Sequence, residues 1–519
     1  MKIFNTMTRK KEELTPLVPG EYRIYVCGPT VYNYVHIGNA RPVVVFDTLR
    51  RYLEYQGNRV LFVSNITDID DKIIAKANEA GVSMQEYAGR YEAEFLKDCD
   101  GLNALPPTVR PRATEHIDEI LSIVADIIEK GYGYVAKNGD VYFRAKKFKE
   151  YGKLSHLVLE DLESGNRALR SQMDGDLKED PADFAVWKAA KPGEPYWDSP
   201  YGKGRPGWHI ECSAMARRHL GKTIDIHAGG EDLIFPHHEN EIAQSECANG
   251  CTFARYWMHN GFLNIDNHKM SKSANNFFTV RELSEVYGYE PIRYFLLTGQ
   301  YRGPLNYTAE LIGACKASLE RLYTCRDNLD FAIENAHGDD EALVEKAAAA
   351  RGKFCAAMDD DLNTPDALAA LFDFVREINT LAPQVVQTAA NVTEAQSVAD
   401  TFDDMVTRLE NGTFGGRIFG GTDDLRAEDC AFVTYTVRLQ NKGFFPAEWI
   451  SMELVEPKDG DVLALPDDSR HALAAGSVGD MQLTVLRRTD EEEQADTART
   501  LRVTCYVFGR KIVFDVSVA

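Results

Sequence analysis

Short apolar runs alternate with an amphipathic segment near the start of the chain. Residues 22–27 form an apolar run that predicts a buried strand, which Gly28 and Pro29 end. A helical pattern extends from about residue 38 to 55, and a second apolar run predicts a strand over residues 59–65. This order is typical of a parallel α/β sheet, whose ligands bind at the carboxyl ends of the strands.

The pattern changes over residues 100–200, where helical and strand segments are mixed with Pro and Gly. We interpret this stretch as a domain inserted between two halves of the sheet. The sheet pattern then resumes in four segments: a strand at 223–227, a Gly229-Gly230 turn, a helix that begins near His237 and a strand at 257–265. We therefore predict an α/β domain over residues 1–305 with an insertion at about 100–200.

The rest of the chain contains two further patterns. Helical periodicity, as in residues 366–372, predicts a helical bundle over residues 306–411. A Gly-rich linker is predicted at 412–427. Short runs of period two begin at about residue 433, and they predict a small all-β sandwich over residues 428–519.

Composition limits the classes of function. The chain has 519 residues, which predicts more than one domain, and a formal charge of −22. That charge argues against a generally basic surface, so an RNA site would have to be a local patch. No run reaches the roughly 18 apolar residues of a membrane span, and no signal-peptide pattern is present. Ten scattered cysteines fit reduced thiols, so we expect a cytoplasmic protein.

Two short segments suit the binding of a triphosphate: residues 36–39 (His-Ile-Gly-Asn) and 269–273 (Lys-Met-Ser-Lys-Ser). The first lies where a loop enters the predicted helix, so the helix dipole and the His36 imidazole can face phosphates, and Gly38 allows close approach. Lys269 and Lys272 can supply positive charge from the other side. The triplet His-Ile-Gly alone is weak evidence, whereas the full pentapeptide is much more specific.

These segments resemble the HIGH and KMSKS signatures of class I aminoacyl-tRNA synthetases. Over about residues 1–380 the chain is similar to the cysteinyl-tRNA synthetases of that class, and the similarity includes four more segments: residues 25–30, 65–72, 205–213 and 235–241. The resemblance implies an α/β fold with a Rossmann-like parallel sheet and an inserted connective domain. The predicted helical bundle follows this α/β domain and is of the type that contacts the stem and anticodon side of tRNA. The all-β sandwich comes last.

The resemblance also implies an activity and a set of site residues. The enzyme would be a monomer that activates L-cysteine with Mg-ATP and transfers it to the 3' end of tRNA(Cys). The residues implied for catalysis are His36, Gly38, Asn39, Lys269 and Lys272, and Ser271 joins them for ATP binding. The residues implied for the cysteine pocket are Cys27, Gly28, Thr30, Thr67, Trp208 and Asp232.

By the same resemblance, one zinc ion is bound by Cys27, Cys212, His237 and Glu241. Two thiolates suit a borderline-soft ion such as zinc, and residues four apart on a helix project from one face. His238 and Glu239 could replace the His237–Glu241 pair, but adjacent positions point to different faces. We hypothesise that the substrate thiolate enters the zinc shell, so that the metal selects cysteine over serine.

The sequence departs from the family pattern at two places. Asn39 replaces the second histidine of HIGH, which removes one cation but keeps a hydrogen-bond donor. The helical resemblance fades after about residue 380, where the family usually has a module that reads the anticodon. The β-rich tail then either adds stability or partner binding, or it replaces that module.

Two other functions stay open. One is a related ligase that passes cysteine to a small amine, of the mycothiol-pathway type, although residues 358–365 resemble the tRNA enzymes. The other is a non-catalytic RNA-binding paralogue, which would have no need for intact signatures and metal ligands.

Overall fold

The computed structural model describes residues 1–157, 177–266, 268–269, 277–335, 341–380, 385–395, 399–441, 447–465, 471–474, 476–489, 498–507 and 510–518. The chain divides into two compact units. The first comprises Met1–Leu319 and Ala349–Ala370, and the second comprises Glu320–Ala348 and Leu371–Ala519.

The first unit contains most of the helices and two kinds of sheet. Its strands are β1 (Lys2–Asn5), β2 (Lys10–Glu13), β3 (Glu21–Val26), β4 (Arg59–Ser64), β5 (Gly133–Val135), β6 (Val141–Phe143), β7 (Phe184–Ala189), β8 (Gly204–Pro206), β9 (Ile224–Gly230), β10 (Ala254–Asn260), β11 (Leu263–Ile265), β12 (His268–Lys269) and β13 (Leu305–Tyr307). Its helices are α1 (Ile37–Tyr55), α2 (Asp71–Ala80), α3 (Met84–Gly101), α4 (Ile117–Glu129), α5 (Trp208–Leu220), α6 (Glu239–Asn249), α7 (Val280–Tyr287) and α8 (Tyr289–Leu297). The division between the units falls within the helices that follow, which are α9 (Ala309–Asn335), α10 (Glu341–Asp359) and α11 (Thr364–Thr380).

A parallel sheet in the order β10-β9-β3-β4 forms the centre of the first unit. Its strands are buried on both faces, which explains their nearly continuous apolar sequences. Ile24 of β3 packs with Phe46 of α1 in one core, whereas Tyr25 packs with Met215 of α5 in another. The sheet confirms the predicted α/β fold class, and its carboxyl edge is formed by the ends of all four strands.

An antiparallel sheet, β5-β6-β7-β8, lies within the predicted insertion. Apolar side chains of α4 pack against it in a separate core that includes Ile120, Phe143 and Trp187. The chain then returns to the central sheet through α5, which begins at Trp208.

The second unit contains two antiparallel sheets. Its strands are β14 (Val385–Ala395), β15 (Arg417–Ile418), β16 (Cys430–Asn441), β17 (Ala447–Leu454), β18 (Asp461–Ala464), β19 (His471–Leu473), β20 (Val478–Arg488), β21 (Arg499–Val507) and β22 (Arg510–Val518), and helix α12 (Ala399–Glu410) lies between β14 and β15. The sheet orders are β14-β16-β20-β18-β15 and β19-β17-β21-β22. Tyr435 and Leu483 of the first sheet share one core with Val503 and Val516 of the second, as expected for a sandwich.

The structure corrects two predicted boundaries. Residues 306–411 are not a bundle of helices alone, because β14 pairs antiparallel with β16 along Val385–Ala395. The predicted linker at 412–427 includes β15, which pairs with β18. Both segments are strands because partner strands distant in sequence supply their hydrogen bonds, and local periodicity does not report such pairing. Among the described residues, no helix is both long and apolar enough to cross a membrane.

Candidate active site and metal centre

A cavity of about 540 Å³ opens at the carboxyl edge of the central sheet. The strand ends of this edge supply part of its lining, as expected for a parallel sheet. The structure brings eleven of the predicted site residues to this cavity: Cys27, Gly28, Thr30, His36, Gly38, Asn39, Thr67, Trp208, Cys212, Asp232 and His237.

The N-terminus of α1 faces the cavity through its first turn. His36 is the N-cap residue, and its Nδ1 atom accepts a hydrogen bond from the backbone N–H of Asn39 at 3.2 Å. The dipole of α1 makes this end of the helix suitable for an anion.

The second signature is described only at its start. The backbone of Lys269 lies in β12, where it pairs with Asn264 of β11. Ser271 and Lys272 lie outside the described residues.

Four donor atoms converge beside the cavity. The Sγ atoms of Cys27 and Cys212 lie 3.7 Å apart, Cys27 Sγ lies 3.4 Å from Glu241 Oε1, and His237 Nε2 lies 3.0 Å from the same oxygen. For a tetrahedral zinc ion with ordinary bond lengths, these separations would be about 3.8, 3.5 and 3.3 Å. The donor set and its spacing therefore fit one zinc ion.

The positions of the four donors follow from the elements that carry them. Cys27 directly follows β3, and Cys212 lies on α5 with only 2% of its surface exposed. His237 lies on the turn that leads into α6, and Glu241 follows four residues later in the first turn of that helix, so they face the same side. Glu239 points elsewhere and accepts hydrogen bonds from the backbone of residues 152, 154 and 155. The alternative pair of metal ligands, His238 and Glu239, is therefore excluded, because the Glu239 carboxylate does not face the other donors.

A second layer of histidines surrounds the donors. His227 Nε2 lies 2.8 Å from Glu241 Oε2, and His238 Nε2 lies 3.3 Å from Cys27 Sγ. His238 Nδ1 in turn lies 2.8 Å from a ring nitrogen of His259. Cys27, His227, His238 and Glu241 form a second group whose donor atoms are close enough to hold an ion. The group with two thiols has the donor types that suit zinc, and the contacts of His227 and His238 would orient two of its members, Glu241 and Cys27.

Burial and close charges shift the pKa values of the donors. The hydrogen bond from Cys27 outweighs burial and lowers the pKa of Cys212 to about 6, whereas burial raises that of Cys27. Burial alone would raise the pKa of Glu241. The charges and hydrogen bonds of His227 and His237 outweigh that effect and lower the pKa to about 2. Burial alone would lower the pKa of His237. The negative charge of Glu241 outweighs that effect and raises the pKa to about 10. A metal ion must therefore displace protons from Cys27 and His237, so its binding should weaken as pH falls.

A hydrogen-bonded chain links the metal ligands to the predicted cysteine pocket. Asn65 Oδ1 accepts a hydrogen bond from the backbone N–H of Gly28 at 2.9 Å, and Asn65 Nδ2 donates to Thr67 Oγ1 at 3.3 Å. Thr67 Oγ1 donates to Glu211 Oε2 at 3.2 Å. Burial, followed by the charge of Cys212, raises the pKa of Glu211 well above its usual range.

Sequence reasoning missed Asn65 and Glu211 as site residues. Both lie in segments that carry the family resemblance, but their roles depend on which backbone groups approach them. Their one sequence signal is position, because Asn65 directly follows β4 and Glu211 immediately precedes Cys212.

The predicted pocket residues differ in exposure. Trp208 is 40% exposed, and its ring centroid lies 4.4 Å from that of His237. Thr67 is buried, and its backbone pairs with that of Thr30. Asp232 is exposed at the start of the turn after β9. Trp208, Thr67 and Asp232 thus lie at different depths along the same cavity wall.

Comparison with known proteins agrees with this geometry. Residues 13–317 match the family model described as tRNA synthetases class I (C) catalytic domain. The cysteine–tRNA ligase of Caldicellulosiruptor saccharolyticus is 56% identical over 385 residues, which cover 74% of this chain and 82% of that protein. The chain belongs to the cysteine–tRNA ligase family.

Other matches extend this family assignment. The cysteine–tRNA ligase of Clostridioides difficile is 53% identical over 385 residues, which cover 73% of this chain and 82% of that protein. Residues 353–409 match the DALR domain. The methionyl-tRNA synthetase of Mycobacterium tuberculosis, solved with methionyl-adenylate, has a TM-score of 0.54 at 18% identity and covers 70% of this chain and 83% of its own. That last likeness shows the class I fold alone.

Proposed function

We propose that this protein is a cysteine–tRNA ligase that acts in two steps. In the first, the carboxylate of L-cysteine attacks the α-phosphorus of Mg-ATP, which gives cysteinyl-adenylate and releases pyrophosphate. In the second, the 3'-terminal ribose hydroxyl of tRNA(Cys) attacks the carbonyl carbon, and AMP leaves. The observation that carries the proposal is the thiol-containing donor cluster in the same cavity as the N-terminus of α1.

The first step depends on positioning and charge. His36, Gly38 and Asn39 would bind the phosphates at the N-terminus of α1, where backbone N–H groups favour the developing negative charge. Lys269, Ser271 and Lys272 would contact the triphosphate from the opposite side. No nucleophilic side chain is needed, because the two substrates react directly with each other.

The donor cluster would hold zinc through Cys27, Cys212, His237 and Glu241. When bound, zinc supplies a Lewis acid that favours a thiolate over a hydroxyl. Trp208, Thr67 and Asp232 would bind the rest of the cysteine molecule, with Thr67 oriented by Asn65 and Glu211.

The remaining proposals concern the state of the protein in the cell. Its ten cysteines are all free, which supports a reducing compartment such as the cytoplasm. A monomeric state stays a prediction, as do the roles of the helical and β-rich regions in tRNA recognition.

The test is ATP–pyrophosphate exchange by the full chain, with and without zinc, and with cysteine or serine as substrate. We expect exchange that requires cysteine and loses its preference over serine when zinc is removed. Absence of exchange in zinc-loaded protein would favour a non-catalytic paralogue.

Transfer is measured separately with tRNA(Cys). Exchange without any charging of tRNA would favour a ligase that acts on a small amine. Charging of tRNA(Cys) at a rate that follows the exchange rate would support the proposed function.

A further inference from the structure

One lysine of the cavity wall has no role in the proposed chemistry. Lys72 lies in the first turn of α2, lines the cavity and is exposed. Its ammonium group lies 5.3 Å from the centroid of the Tyr32 ring, whose side chain lines the same cavity. The cation is thus held toward the cavity by an aromatic face.

The charge of Lys72 is not neutralised by its acidic neighbours. Asp70 uses its carboxylate to cap α2, where it accepts a hydrogen bond from the backbone N–H of Lys72. Asp71 binds Lys188 at 2.8 Å and also contacts Arg205. Within the described part of the chain, no carboxylate forms an ion pair with the Lys72 ammonium.

The surroundings of Lys72 place it beside the amino-acid part of the cavity. Asp71, the preceding residue, contacts Arg205 of β8, and β8 leads within two residues to Trp208. The Trp208 ring lies 4.4 Å, between centroids, from that of His237, one of the four proposed zinc ligands. The Tyr32 ring that the Lys72 ammonium faces is two residues from Thr30, whose backbone pairs with that of Thr67, so the cation lies beside these two predicted cysteine-pocket residues.

The transfer step brings a phosphate anion of tRNA to this side of the cavity. The terminal ribose must enter the cavity for its hydroxyl to reach the adenylate, and the phosphodiester that precedes it is drawn to the mouth at the same time. A chain with a formal charge of −22 repels RNA at long range, so a local cation is needed to position that phosphate.

We propose that Lys72 binds a phosphate near the 3' end of tRNA and positions its terminal ribose for transfer. The inference rests on the proposed function, because it assigns a residue to the second of its two steps. It separates the two steps by residue: α1 would serve the phosphates of ATP, and Lys72 would serve the phosphate of tRNA.

The test compares two lysines on the same helix. Lys72→Met removes the charge but keeps the length of the side chain. Lys76→Met makes the same change one turn later, at an exposed lysine that pairs with Glu79 at 2.5 Å and does not line the cavity. Each full-length variant is assayed for cysteine-dependent ATP–pyrophosphate exchange and for charging of tRNA(Cys), and Lys72→Arg tests rescue by charge.

We expect Lys72→Met to lower kcat/KM for tRNA about tenfold while exchange stays at the wild-type rate. The negative slope of log kcat/KM against log salt concentration should decrease in magnitude by about one, which is the change expected for one lost phosphate contact. Lys76→Met should match the wild type in both assays, and Lys72→Arg should restore most of the charging rate.

Three results would overturn the inference. Equal loss of exchange and charging in Lys72→Met would assign the lysine to ATP instead. Charging by Lys72→Met at the Lys76→Met rate would show that no phosphate depends on it, and an unchanged salt slope would argue against a phosphate contact. Absence of exchange in the wild type would instead refute the proposed function, so the two failures are distinguishable.

Discussion

The two thiols of the donor cluster lie 185 residues apart in the chain, yet their sulfur atoms are 3.7 Å apart. Cys27 is placed by the end of β3 and Cys212 by the buried face of α5, so neither can move without its element. Such rigid placement holds the donors at separations that suit zinc before the metal binds. At the scale of single residues, the site depends on backbone geometry as much as on the ligands themselves.

Gly28 offers a test of that dependence. A Cβ atom at this position would lie 1.6 Å from the carbonyl oxygen of Asn65, so Gly28→Ala forces the strand ends apart and displaces Cys27. We expect a loss of about 2 kcal/mol or more in the free energy of unfolding, together with weaker zinc binding. Thermal denaturation and a zinc titration with a chromogenic chelator measure the two effects.

Gly89→Ala is the matched control. Gly89 lies in α3 with nothing within 4 Å of a Cβ atom, so alanine should stabilise the helix by about 0.5–1 kcal/mol and leave zinc binding unchanged. If Gly28→Ala bound zinc as tightly as Gly89→Ala, close packing at Gly28 would not be what positions Cys27.

At the scale of elements, the two sheets of the second unit are joined by a buried ion cluster as well as by their apolar core. Asp461 of β18 accepts two hydrogen bonds from Arg499 of β21, at 2.8 and 3.0 Å. Arg487 of β20 lies 3.1 Å from the same carboxylate. Since β18 and β20 belong to one sheet and β21 to the other, Asp461 links the two layers.

Removing this carboxylate should loosen the unit. Asp461→Asn removes the buried negative charge that both guanidinium groups contact, and we expect a loss of about 3–5 kcal/mol in local stability. Hydrogen–deuterium exchange of peptides from β20 and β21 measures the loss. Cysteine activation should stay unchanged, because no residue that lines the cavity lies in these strands.

The control replaces an exposed carboxylate of the same unit. Asp515 pairs with Arg502 at 2.9 and 3.0 Å on the surface, where solvent screens the charges. Asp515→Asn should leave the exchange rates of β20 and β21 close to those of the wild type. Similar exchange rates in the two variants would show that burial of Asp461 has no energetic consequence.

At the scale of the whole molecule, the cavity and the β-rich unit, meaning the strands from β14 onward, are formed by different parts of the chain. All residues that line the cavity lie between Val26 and Phe277. The two family models match residues 13–317 and 353–409, and neither match extends to the strands from β15 onward. Activation of cysteine should therefore not require the β-rich unit.

Two truncated chains test this separation. A chain that ends at residue 380 stops before β14, and we expect it to activate cysteine at close to the full-length rate. A chain that ends at residue 420 keeps β14 but loses β16, so an unpaired strand of eleven residues is exposed and the protein should aggregate. Pyrophosphate exchange and light scattering measure these outcomes.

Charging of tRNA(Cys) by the chain that ends at residue 380 then separates the two hypotheses for the tail. Equal charging by this chain and the full chain would remove the tail from tRNA recognition. Slower charging with unchanged activation would support its role as a replacement for the anticodon module. A loss of activation itself would contradict the separation of the two parts.

The sequence by itself determined the fold class and predicted eleven of the residues that line the cavity. Continuous apolar strands, the break at Gly28 and the two signature segments are local features, and each can be recognised in the sequence without reference to distant residues. The four proposed metal donors follow from the family resemblance, and residue type and helical spacing agree with that choice.

Only the tertiary structure decided the rest. Local pattern could not show that β14 joins the C-terminal sheet, since it pairs with β16 along a ladder that runs from Val385–Asn441 to Ala395–Phe432, between residues far apart in the sequence. The link from Gly28 through Asn65 and Thr67 to Glu211 likewise exists only once β3, β4 and α5 are packed together. Periodicity reports which face of an element is buried, whereas hydrogen bonds between distant elements depend on the packed fold.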